Sequence, residues 1–137
     1  MSTMTLTRQD ARLEAALGQS ITALTAAQAR VDAETTRVLD THRALVAAET
    51  AVSFHRVRLV NVATARRRVD DAVLDELDAQ LEKLEEAAEE RDVLEADLVR
   101  LLQAREEAAK RKAAEAPPAT GPTRMLVVAV PAAAQRR

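Results

Sequence analysis

His42 and His55 are the only histidines in the sequence, and so its only side chains whose ordinary pKa lies near neutrality. On one straight helix a separation of thirteen residues points them in different directions, so they cannot share a metal ion or work as an acid–base pair. From residue 70 to 97 carboxylates crowd the chain. Ion binding by such a run would need a Gly-containing loop of the EF-hand type, and none is present. With glycine only at 18 and 121, no phosphate-cradling loop can be built, and no nucleophile motif surrounds the Ser and Thr residues. The expectation is therefore a chain with no catalytic, cofactor or metal site, in which the acidic run is a solvated helix face.

Two short basic clusters, Arg66–Arg68 and Lys110–Lys112, are the remaining candidates for chemistry. A nucleic-acid footprint wants a basic face, and single strands want aromatic platforms. Here the surroundings of both clusters are acidic and Phe54 is the only aromatic residue, so nucleic acid is not an expected partner. Both clusters instead suit the negative C-terminal end of a helix.

The elements carrying these residues are legible from composition. Ala is the commonest of the 137 residues, and no Pro and only one Gly occur between Leu6 and Ala116. Strong helix formers over that length predict long helices with no thick core. Thr7 followed by Asp10 resembles a capping box, Gly18 suits a helix end, and Ser20 suits the start of the next helix.

Leu17, Leu24, Val31, Val38, Leu45, Val52 and Leu59 recur every seven residues, the core spacing of a coiled coil. The companion row three residues later, which includes Glu34, Thr41, Ala48 and His55, is small or polar, so the seam is narrow. It places His55 as a partly buried seam residue. A second seam runs through Leu74, Leu77, Leu81, Leu84, Arg91, Leu94, Leu98, Leu101 and Arg105, with a slip near Ala87.

Between the seams, "ARRRVDDAV" reads as a helix end followed by a helix start, with Asp70 as N-cap and Val69 and Leu74 as a hydrophobic staple. One unbroken helix is the competing reading, because no Gly or Pro forces a turn. Charge favours the turn: residues 1–68 hold ten Lys/Arg against six Asp/Glu, and residues 69–116 hold seven against sixteen. Folding near residue 68 sets residue i beside residue 136 − i. That pairs Leu59 with Leu77, Val52 with Leu84 and Val38 with Leu98, and brings Arg37, Arg43 and Arg30 near Asp97, Asp92 and Glu106.

Past Ala116 the composition changes. Residues 117–124 form a Pro-containing linker, and Met125, Leu126, Val127, Val128 and Val130 give an apolar β-type segment fenced by Pro122 and Pro131. A lone strand must borrow a sheet, and adding to a partner's sheet edge is a known recognition mode.

The organisation expected is all-α: a short helix or arm over 1–19, a coiled-coil region over 20–116 with a turn near 66–70, the linker, and a docking arm over 125–137. An antiparallel helical hairpin is the expected form. The function expected is a non-enzymatic spacer or scaffold in a larger complex, such as a virion or phage assembly. The alternative is a chaperone-like or regulatory binder of a basic protein. Expected partners are proteins: further copies of the chain, and a sheet-bearing protein for the arm. The start lacks a secretory signal pattern and no stretch approaches a membrane span. A cytoplasmic location, or one inside a virion or other large assembly, follows.

Overall fold

Short polar side chains and one glycine set the helix ends in this chain. A computed structural model describes residues 6–115. Four α-helices follow in order: α1 (Asp10–Leu17), α2 (Ile21–Ala26), α3 (Ala33–Thr64) and α4 (Asp71–Glu115), with one 3-10 turn at Gln28–Arg30 between α2 and α3. The fold is all-α, and no strand occurs among the described residues. The linker and the segment Met125–Val130 lie outside them.

Thr7 and Asp10 make half of a capping box, because Thr7 Oγ1 takes the Gln9 N–H and not that of Asp10. Asp10 Oδ1 accepts from the Thr7 N–H at 3.1 Å, and Thr7 Oγ1 accepts from the Gln9 N–H at 3.2 Å. Gly18 closes α1 in the left-handed region, at φ 73°, where its N–H reaches the Glu14 carbonyl. Ser20 caps α2 through the Ala23 N–H.

A break that the seven-residue series runs straight through separates α2 from α3. Val31 is extended, and Asp32 caps α3 by accepting from the Thr35 N–H at 2.7 Å. That hydrogen bond also holds the Asp32 carboxyl below its ordinary value. Leu17, Leu24 and Val31 therefore do not continue the helix of Val38, Leu45, Val52 and Leu59. They stand on α1, on α2 and in the connection.

α3 ends at Thr64, with Ala65 extended. Asp70 then caps α4, its carboxylate accepting from the Val73 N–H at 3.0 Å. Residues 65–70 thus interrupt the helix without Gly or Pro. The staple does not form, because Val69 and Leu74 are both exposed.

Ion pairs Glu34–Arg105 and Glu49–Arg91 join α3 to α4, so lower-numbered residues of α3 meet higher-numbered residues of α4. Glu49 meets Arg91 rather than Ala87, about one helical turn from the expected register. The ionic partners differ as well. Arg43 bonds Asp40 and Gln28 instead of Asp92, Arg37 borders the same surface depression as Asp97 although Asp97 pairs with Arg100 on its own helix, and Glu106 receives Arg12 from α1.

Leu13, Leu24, Val38, Leu39, Leu45, Leu98 and Leu102 form the buried core, where α1 and α2 lie against one end of α3 and α4. Burying a side chain of this size is worth roughly 1.5–3 kcal/mol. Residues 107–115 carry α4 onward with every side chain exposed.

Candidate functional site

Asp10 begins α1, and the fold of α1 against α3 brings His42 to it. Three donors reach Asp10 Oδ1: the Thr7 N–H, the Thr7 hydroxyl at 2.5 Å and His42 Nε2 at 2.9 Å. Oδ2 accepts from the Leu6 N–H at 2.6 Å. The side chains of His42 and Asp10 are only 6 % and 9 % exposed. Burial alone would raise the Asp10 carboxyl, but the hydrogen bonds outweigh it and hold the group below its ordinary value.

A carboxylate, an imidazole and a hydroxyl invite comparison with nucleophilic catalysis. The geometry opposes it. In such a triad the imidazole bonds the hydroxyl and the carboxylate orients the imidazole. Here hydroxyl and imidazole both aim at the same carboxylate oxygen, and none of the three is open to a substrate. The cluster fastens α1 to α3.

Nothing in the sequence position of His42 marks it, because the companion row three residues after each seam position contains Thr41. Burial instead selects Thr35 and His42, four residues after Val31 and Val38, while Glu34 is exposed. Closer to the turn the row returns to Ala48, His55 and Val62, all at least partly buried. His55 stacks edge-on against Phe54 with ring centroids 5.2 Å apart, and its Nδ1 is buried without a hydrogen-bond partner among the described residues. It borders an open cleft of about 460 Å³ floored by Ala47, Ala48, Ala51 and Ala87, with Lys83 and Glu90 at its rim.

Of the other seam positions, Leu24, Val38, Leu45 and Leu98 meet in the core, and Leu17 and Val31 pack against it. Val52 is buried nearer the turn; Leu59, Leu77 and Leu84 are partly buried. On α4 the seam is offset from the expected row: Val73 and Gln80 are buried, whereas Leu74 and Leu81 are 49 % and 45 % exposed. Leu102 is buried where the spacing named Leu101.

The exposed apolar residues follow from where α1 stops. Leu39 belongs to the core with Leu13 of α1, and seven-residue steps along α3 reach Val46, Ser53 and Val60. Exposure climbs along that stripe from 3 % at Leu39 to 52 % at Val60. On α4, Glu95 accepts from Arg8 and Gln9, and the same steps toward the turn reach Ala88, Leu81 and Leu74. Leu39 to Val60 and Glu95 to Leu74 each span three heptads, a drift of ~60°, so these rows turn away from the face that α1 covers. Val57, Val60, Leu74 and Leu81 are exposed apolar residues on the parts of α3 and α4 nearer residues 65–70.

Among the described residues no group of three or more His, Cys, Asp or Glu side chains is arranged to hold a metal ion, and no helix is long and apolar enough to cross a membrane. Compared with known proteins, the chain matches no family model, no curated protein and no solved structure.

Proposed function

We propose that the protein is a non-enzymatic structural element: an antiparallel α3–α4 hairpin, braced at one end by α1 and α2, that spaces or scaffolds other proteins in a larger assembly such as a virion. One observation carries this reading. Helices of 32 and 45 residues are committed to a thin shared seam, and the buried Thr7–Asp10–His42 cluster is consumed in fastening α1. At 1.5 Å per residue, α3 and α4 extend roughly 48 and 68 Å. Length of that kind serves reach and surface rather than enclosure of a substrate.

In this reading Met125–Val130 anchors the rod, adding as a β-strand to a sheet-bearing partner, and further copies of the chain take part in the assembly. A second reading, a chaperone-like or regulatory binder of a basic protein, is favoured by α4 itself. Ten carboxylates and a single Lys occupy residues 70–90.

The test reads the register. Thr41 and Asp97 border one surface depression. Cysteines placed at both positions of the full chain should crosslink within one chain under mild oxidation. Crosslinks forming only between chains would refute the braced hairpin.

A further inference from the structure

Between α2 and α3 the chain leaves the helix only briefly. Val31 (φ −93°, ψ 163°) and Asp32 (φ −71°, ψ 169°) are the extended residues of that connection. Their φ angles already lie in or beside the helical range, so what separates them from α-helix is ψ. Just before them Ala27, Gln28, Ala29 and Arg30 are among the best helix formers, yet residues 28–30 are held in a 3-10 turn. A short 3-10 stretch in a helical sequence marks a hinge or a segment under strain. No Gly or Pro lies between Gln19 and Ala116, so nothing covalent requires the break.

What holds the bend is local. Asp32 accepts from the Thr35 N–H at 2.7 Å, Gln28 donates to Asp40 at 3.0 Å, and Arg43 donates to Gln28 at 2.7 Å. On one continuous helix residues 28 and 40 stand about 18 Å apart along the axis, so the bonds of Gln28 belong to the bent form alone. The arm beyond the bend is held by contacts distant in sequence. Arg12 pairs with Glu106, Asp10 with His42, and Leu13 and Leu24 enter the core with Val38, Leu39, Leu98 and Leu102. The arm is also tied to itself: Glu14 of α1 accepts from the Ile21 N–H of α2 at 2.8 Å.

We infer that residues 27–32 are a hinge, and that its straightening lets two copies of this chain exchange their α1–α2 arms. α2 and α3 then run as one helix, and Leu24, Val31 and Val38 keep their seven-residue spacing through the join. A second copy is the partner because every copy carries the whole receptor of the arm: Glu106, His42 and the apolar seat of Leu13. Each arm regains on the other chain the contacts it gave up on its own, so the two forms differ at the hinge and in association. The inference rests on the scaffold reading and deepens it, naming how further copies of the chain join.

The test is refolding of the full chain from urea at ~1 mM, followed by sedimentation. A dimer is expected beside the monomer. Asp32→Ala removes the cap of the bent form only, at two hinges per dimer, and should raise the association constant about tenfold or more. Ala33→Pro acts the other way. Pro suits the first position of α3, after an extended residue, but breaks a helix running through residue 33. It should lower the association constant about a hundredfold or more and leave the circular dichroism of the monomer unchanged. Exchange is read with Arg12→Cys and Glu106→Cys, the chain having no other thiol, and a short bismaleimide. The link should form within one chain in the isolated monomer and between chains in the isolated dimer.

A monomer throughout, with Asp32→Ala as with the natural sequence, would overturn the proposal. A dimer indifferent to Ala33→Pro, or linked from 12 to 106 only within each chain, would overturn it equally, by showing copies that associate with their arms in place. The 41–97 crosslink lies within one hairpin in the monomer and in the exchanged dimer alike, so failure of the hinge and failure of the rod are separable.

Discussion

Removing the Asp10 carboxylate should loosen the braced end of the molecule more than removing any surface charge. Asp10→Ala strips the acceptor from the buried His42 Nε2–H and the Thr7 hydroxyl, and from the backbone N–H groups of Leu6 and Thr7. Each buried donor left unsatisfied costs about 1–3 kcal/mol. With some relief from entering water, a total near 4 kcal/mol is expected, a large share of a typical stability of roughly 5–15 kcal/mol. Asp10→Asn keeps the shape and one oxygen and should cost about half as much.

Urea unfolding followed by circular dichroism measures these differences. A cycle with His42→Ala isolates the contact, and a coupling above ~0.5 kcal/mol is expected. The pH dependence has a definite sign. Because the folded carboxyl lies below its ordinary value of 3.8, its contribution is complete above that value. It is lost as pH falls from there through the folded value. Asp10→Asn should remove this group's share of the acid-side loss. A cost under ~1 kcal/mol at neutral pH, or equal costs of Asp10→Ala with and without His42, would refute the argument.

Three other outcomes follow from the same packing. Leu98→Ala, at a fully buried position, should cost about 3 kcal/mol by chemical denaturation, whereas Leu81→Ala at a half-exposed one should cost under ~1 kcal/mol. Gly18→Ala should cost about 1–2 kcal/mol from its backbone alone, since φ is +73° and a Cβ there meets nothing within 4 Å. Apart from that packing, the proposed docking arm implies that Val128→Pro should abolish assembly while leaving the helical circular dichroism unchanged, and that Val128→Thr should weaken it much less.

Helix punctuation was readable wherever a cap is local. Thr7 with Asp10, Gly18, Ser20 and Asp70 each act within four residues of themselves, and each is where its sequence context places it. Asp32 acts just as locally, through Thr35, but the seven-residue series from Val31 to Val38 masks the break it makes. His42 was hidden for a different reason: its partner is 32 residues upstream, and no periodicity within a helix reports a contact between helices. The ionic register is not legible from net charge, which averages over a whole arm. The pairs formed between α3 and α4, Glu34–Arg105 and Glu49–Arg91, use the minority charge of each arm. Much of the majority charge stays in water.

The long reach of α1 sets a timetable for synthesis. Arg8 and Arg12 find their acceptors at Glu95 and Glu106, 87 and 94 residues later in the chain. A ribosome adding roughly 5–20 residues per second needs about 5–20 s to make that interval, and longer to clear it from the exit tunnel. Until then the core around Leu13 lacks Leu98 and Leu102, the two residues that α4 adds to it. A codon-level slowdown before residue 95 would lengthen that wait without altering the native fold, so the yield of intact protein at fixed stability becomes a function of translation speed.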